Sequence, residues 1–275
     1  MVPAFPVHPA VKPVADFRLR ARPRDGLNLV CDISDWRDGW MLHYLQEIHE
    51  PVRIHRKAWE FGKCLAGFHR LGVIEPRAVG LSVGAGAERP LFYLASHIRT
   101  IVATDLYAGQ AGTWGWGDGF IHNPAAHAPF PYREDGLVVK DMSGLDLEFA
   151  DNTFDFAYSL SSIEHFGGHR AARQAVREMA RVVKPGGVVC VVTELQLSQH
   201  GAPELFTYPE LEEYVIRGSG LQLVEPQVDL RISESLLAYP CHMFDDPDDV
   251  SPRIVMSGWA NTAATWGSII LFLRK

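Results

Sequence analysis

The stretch "RAVGLSVGAGAERPLFYLASHIRTIVATDLY", residues 77–107, constrains the fold more than any other part of the chain. Residues 78–83 form a short apolar run of the kind that makes a buried strand. The Gly84-Ala85-Gly86 turn interrupts it, and Pro90 suits the first turn of a helix that should run to about His97. Residues 100–104 are a second buried run, closed by Asp105. Strand, helix and strand within about thirty residues imply a parallel pair joined by a right-handed crossover.

The same alternation continues downstream. Strands are expected at 137–140, 154–159, 188–193 and 221–224, with a last one in "GSIILFLRK". Helices are expected at 170–183 and 210–218, and "KPGG", residues 184–187, reads as a tight turn into its strand. This order indicates a doubly wound α/β sheet. Upstream, five prolines before residue 26 predict an extended arm, followed by helices at 40–50 and 52–71. In the second of these, Ala58, Phe61, Leu65 and Phe68 share one face, and Gly72 is a plausible stop. The expected organisation over 1–275 is a single domain. Residues 1–76 form an arm and helical lid, and 77–275 a Rossmann-like core with inserts at 108–136 and 225–267. The first insert is rich in Gly, Trp, His and Pro, and its tryptophans Trp114 and Trp116 argue for order.

In a doubly wound sheet, ligands bind beyond the carboxyl ends of the strands. Three groups fall there: the Gly84–Gly86 loop, Asp105 and Asp141. A dinucleotide loop would need a third glycine where Arg89 stands, and Glu88 at a helix start repels a pyrophosphate. No G-K-[ST] follows, so a phosphate-binding Walker loop is excluded. A carboxylate suits a cofactor that carries an ammonium group. Asp105 suits vicinal ribose hydroxyls, and Asp141 with Met142 suits an adenine, offering a carboxylate acceptor and an apolar wall.

Three segments together resemble the class I S-adenosylmethionine-dependent methyltransferases of the broad type 11 kind. They are "VGLSVGAGAE", "IVATDLY" and "KDMSGLDLEFADNTFDFAYSLSSIEHFGGHRAARQAVREMARVVKPGG", and they cover roughly residues 77–195. The resemblance implies a seven-stranded sheet with a reversed last strand and S-adenosylmethionine as cofactor. It places the methionine part against Val83, Gly84, Ala85 and Gly86. It places the ribose on Asp105, the adenine against Leu106, Asp141 and Met142, and Ser159, Leu160 and Ser161 along the methionine side. The chain departs from the family at Ser82, usually an acid, and at Glu88, usually glycine. Glu88 either takes over the missing carboxylate or only opens a helix, where an acid faces the positive end of the dipole.

The resemblance implies methyl transfer, expected here on a hydroxyl of a small molecule or saccharide. The alternatives are a catalytically silent binding protein of the same fold and a nicotinamide-dependent oxidoreductase, the latter disfavoured by Arg89. A hydroxyl acceptor calls for a base, and His165 in "SSIEHFGG" is the candidate, against a purely structural histidine. Its neighbour Glu164 is expected to pair with a helix or loop group. His200, His122, His127 and His242 are weaker choices. No metal is expected: "HMFDDPDD", residues 242–249, reads as a solvated acidic turn. The acceptor pocket is expected from Trp36, Tyr44 and Trp59, from Trp114, Trp116 and Phe120, and from the segment 195–267. A net charge of -7 and a pI near 5.9 argue against a nucleic-acid partner. The four cysteines lack metal or redox spacing, no run is apolar enough to span a bilayer or direct secretion, and cytoplasm is the expected location.

Overall fold

A computed structural model describes residues 1–21, 24–51, 53–107, 119–243 and 252–275. The core strands are β1 (Val79–Val83), β2 (Thr100–Asp105), β3 (Leu137–Asp141), β4 (Phe154–Leu160), β5 (Val183–Gln196) and β6 (Thr265–Arg274). They lie in the order β3-β2-β1-β4-β5-β6. The first five are mutually parallel, and β6 runs antiparallel to β5 from Trp266↔Gln196 to Arg274↔Val188. This is the doubly wound sheet with a reversed last strand. The chain leaves β1 first towards β2 and β3, then returns to lay β4 on the other side. A crevice therefore opens above β1 and β4.

The seventh strand position is a composite. Along the outer edge of β6 lie Leu29–Val30, Gln222–Leu223 and Met256–Ser257, each two residues long. They satisfy backbone groups that an uncovered edge would leave unpaired. β6 is buried from Thr265 to Leu273, as a strand flanked on both faces and both edges must be.

Helices α1 (Gly39–Glu47), α2 (Arg56–Arg70), α3 (Arg89–His97) and α4 (His169–Val182) cover the sheet. α4 buries Ala172, Ala175, Val176, Met179 and Val182, a stripe at helical spacing. α2 starts later than expected, at Arg56, where His55 accepts the Lys57 N–H at 3.1 Å and caps the helix. It lies between α1 and the sheet, and its small residues allow close approach. A Cβ on Gly67 would sit 2.1 Å from Phe272 Cζ, and one on Gly62 2.6 Å from Met41 Cγ. Gly67→Ala is accordingly expected to lower stability by about 1–3 kcal/mol through overpacking, measured by urea unfolding.

Two local expectations change. The arm is not wholly extended: Lys12–Val14 is extended and pairs with Arg231–Ser233, but Asp16–Ala21 is a short helix, in a stretch free of proline. "KPGG" is not a separate turn, because β5 already begins at Val183 and carries Gly186 at φ +80° within it. Residues 210–218 are helical as expected, as a π stretch Leu211–Ile216 between short α pieces. Trp114 and Trp116 lie outside the described residues, as does most of the acidic run 242–249.

Candidate functional site

A cleft of about 740 Å³ opens at the carboxyl ends of β1, β2 and β4. The turn after β1 forms its floor. Gly84 and Gly86 adopt φ +65° and +48°, a region that favours glycine. A Cβ on Gly84 would lie 2.6 Å from Ser162 Cβ, and the Ser162 hydroxyl donates to the Gly84 carbonyl at 2.8 Å. The turn is also fastened to the end of β2. Asp105 accepts the N–H groups of Gly86 (2.8 Å) and Leu106 (2.7 Å), while the Tyr107 hydroxyl donates to the Gly86 carbonyl at 2.7 Å. Burial pushes the Asp105 carboxyl up despite these two donors.

The first turn of α2 supplies a row of alternating charges along one wall. Arg56 Nη2 is 2.7 Å from Glu194 Oε1, and Arg56 Nη1 is 2.9 Å from Glu60 Oε1. Lys57 Nζ is 3.0 Å from Glu60 Oε2 and 3.7 Å from Glu88 Oε1. The central Glu60 is fully buried, and the Ser268 hydroxyl donates to it at 2.6 Å. Burial acts to raise the Glu60 carboxyl, but Lys57 and Arg56 outweigh it and hold the group below the usual range. Glu60 Oε2, Glu88 Oε2 and Glu194 Oε2 are all buried without a hydrogen-bond partner, but only Glu60 has a cation on each of its oxygens. Burial pushes the Glu88 carboxyl up to about 8, against the pull of Lys57. Burial also raises Glu194, against Arg56.

Glu88 stands at the N-cap of α3, yet its side chain makes no capping hydrogen bond. Its carboxylate lies in the cleft wall instead, with a side chain only 12% exposed. Ser82, the position that lacks the usual acid, is buried within β1.

On the opposite wall, Ile163–His165 follows β4 as a single turn. His165 Nδ1 lies 3.1 Å from Glu204 Oε2, and the ring stacks on Trp259 at 5.7 Å and 4°. Glu164 is fully buried, as Thr193 Oγ1 donates to its Oε2 at 3.0 Å and its Oε1 has no partner. Burial, then the charge of Glu194, pushes Glu164 well above the ordinary range.

Of the residues expected at the site, Gly84, Ala85, Gly86, Glu88, Asp105, Leu160, Ser161 and His165 line this cleft. Val83 and Ser159 are buried in the strands behind it. Leu106, Asp141 and Met142 do not line it. Leu106 is 56% exposed, Asp141 faces Asp105 in the β2–β3 register, and the Met142 N–H donates to the Asp105 carbonyl. Tyr44, Trp59 and Phe120 are core residues rather than pocket walls, and Trp36 packs against the same core. Phe61, Phe166 and Trp259 provide the aromatic lining instead. His122, His127, His200 and His242 are exposed and outside the cleft. Among the described residues no cluster of His, Cys, Asp or Glu could hold a metal ion.

Arg56, Lys57 and Glu194 were not expected at the site. Each left a signal: charged residues inside otherwise apolar elements, "RKAWE" in a core helix and "VVCVVTELQ" in a core strand. Charges in such places must be paired or functional.

Residues 81–191 match the model of the methyltransferase domain family. The sheet order above, with its reversed last strand, agrees with that match. The demethylmenaquinone methyltransferase of Corynebacterium efficiens is 31% identical over 138 residues, 47% of this chain and 52% of that one. The 24-methylenesterol C-methyltransferase 2 of Arabidopsis thaliana is 28% identical over 205 residues, 74% of this chain and 52% of that one. The chain thus spans about half the length of these curated relatives. The crystal structure of the [4+2]-cyclase SpnF superposes with a TM-score of 0.52 at 16% identity, covering 86% of this chain and 95% of that one. That likeness extends the shared fold beyond the family segment. Among the described residues no helix is long and apolar enough to cross a membrane.

Proposed function

We propose that the chain is an S-adenosylmethionine-dependent methyltransferase that acts on a hydroxyl of a small polar molecule or saccharide. One observation carries the reading: the buried carboxylate of Glu88, without a donor at Oε2, stands in the same cleft as the Gly84–Gly86 turn and Asp105. A dinucleotide's pyrophosphate would be repelled there, whereas an α-ammonium group supplies the missing partner. The cleft fits the cofactor in its other parts. Gly84 packs against Ser162 where a side chain would not fit, and Asp105 retains lone pairs for ribose hydroxyls beside its two N–H donors. When bound, the cofactor supplies an electrophilic methyl group, and the protein supplies alignment and exclusion of water. The adenine is assigned, by the resemblance alone, to Leu106, Asp141 and Met142 at the ends of β2 and β3 outside this cleft.

The chemistry of the walls supports a polar acceptor. Demethylmenaquinone and 24-methylenesterol, the compounds in the relatives' names, are largely apolar. This cleft is walled by Arg56, Glu194 and His165, with Trp259 stacked on the His165 ring. Buried charges of this density favour an acceptor that offers hydrogen bonds. His165 faces the acceptor, and Glu204 fixes its ring orientation.

Calorimetric titration with S-adenosylmethionine and with NAD, followed by transfer of labelled methyl to a panel of saccharides, polyols, phenols and amines, tests the reading. Cofactor binding with label transferred to hydroxyl compounds is the expected result. Binding without transfer to any acceptor favours the silent binding protein, and NAD binding alone would overturn the reading.

A further inference from the structure

The row Glu194–Arg56–Glu60–Lys57–Glu88 alternates in sign, and both of its ends are carboxylates with an unpartnered buried oxygen. The Glu88 end lies over the glycine turn and is occupied by the cofactor in the reading above. The Glu194 end lies next to His165 and Glu164, on the acceptor side. Fully ionised, the row carries one more negative than positive charge, which the net positive cofactor balances. The Glu194 end therefore meets a neutral acceptor, and a neutral hydroxyl must lose a proton as it is methylated.

We propose that Glu194 is the general base of the reaction, taking the acceptor's hydroxyl proton on Oε2, and that Glu164 is its positioning residue. The proposal rests on the methyl-transfer reading. In the step, the acceptor oxygen forms its bond to the methyl carbon, the carbon–sulfur bond breaks with its electron pair going to sulfur, and the hydroxyl proton moves to Glu194. The sulfonium becomes a neutral thioether, so charge and atoms balance.

Three features set Glu194 apart from His165 for this role. Arg56 pins Oε1 at 2.7 Å, so the free oxygen has a fixed direction. The side chain is buried in the cleft wall, where a carboxylate lacks the water that would weaken it as a base. His165 is held at Nδ1 by Glu204 and across its face by Trp259, an arrangement suited to shaping the acceptor's seat. The charged groups around Glu194 are Arg56, Lys57 and Glu60 from α2, and Glu164 and His165 from the turn after β4. Glu164 places a second carboxyl behind Glu194, and two such groups so close hold one proton more readily than none.

The test compares wild type with Glu194→Gln, Glu194→Asp, Glu164→Gln and His165→Asn. The readouts are the pH profile of kcat with a hydroxyl acceptor from the panel, cofactor affinity, and carboxyl carbon NMR of the cofactor-free protein labelled at glutamate Cδ. Glu194→Gln is expected to lower kcat about 100-fold or more and abolish the acid limb of the profile, with a smaller loss of cofactor affinity than Glu88→Gln. Glu194→Asp restores part of the rate with that limb. A carboxyl resonance titrating above the ordinary glutamate range is expected to vanish in Glu194→Gln and shift in Glu164→Gln. His165→Asn is expected to raise KM while keeping the acid limb. An acid limb that survives Glu194→Gln and is lost in His165→Asn overturns the assignment, as does a set of high-titrating resonances that Glu194→Gln leaves complete. Failure of wild type to bind cofactor, or to methylate any hydroxyl, instead removes the reading beneath it.

Discussion

Glu88→Gln is expected to weaken S-adenosylmethionine binding ten- to hundredfold and, in the same protein, to make the cofactor-free form more stable at pH 8. The first effect follows from losing a charge-assisted hydrogen bond to the α-ammonium group. Such bonds contribute about 1.5–3 kcal/mol, and about 1.4 kcal/mol is tenfold in affinity. The second follows from linkage. The Glu88 carboxyl titrates near about 8 in the folded chain, above its unfolded value. Between the ordinary glutamate range and that value, the folded protein holds a proton that the unfolded chain has released. Stability therefore falls as pH rises through this window, and glutamine, which does not titrate, escapes the loss. Cofactor binding below pH 8 must also expel the proton, so the binding heat should vary with the ionisation enthalpy of the buffer. Calorimetry in two buffers and thermal unfolding from pH 5 to 9 measure both effects. An unchanged dissociation constant in Glu88→Gln would show that the carboxylate does not touch the cofactor.

The second large effect is expected at Arg56. Arg56→Met leaves Glu60 and Glu194 buried without their shared guanidinium, since both rest on it at under 3 Å. Breaking a buried pair by removing one partner costs about 3–5 kcal/mol. Urea unfolding should show a lower midpoint with an unchanged slope. Adding Glu194→Gln to Arg56→Met should recover part of the loss, because one stranded charge is then removed. Strict additivity of the two substitutions would mean that the residues do not interact.

Much of this site was legible because its parts sit at strand ends, which apolar runs mark clearly. Residues 78–83 and 100–104 located β1 and β2 within a residue, and with them the Gly84–Gly86 turn and Asp105. The inward turn of Glu88 was not legible, because capping and cofactor contact place the same residue type at the same position. Nor was the row through Arg56, Lys57 and Glu194. Its members come from a helix and a strand far apart in sequence, and only the packing of α2 against the sheet brings them together. Aromatic residues misled in the other direction. Tyr44, Trp59 and Phe120 looked like lid residues but are core, since large rings fill interior volume wherever it is available.

The composite edge of β6 affects how the chain reaches its folded state. β5 can pair with β4 early, but its other edge waits for residues 265–274, and the edge of β6 then waits for pieces from residues 29, 222 and 256. Sheet closure is therefore a late, long-range event during synthesis. Until it occurs, a long apolar strand stands open to chaperones or to other nascent chains. Once formed, β6 holds the N-terminal arm and the 225–267 insert to one ladder, so fraying at either place is resisted by the whole core.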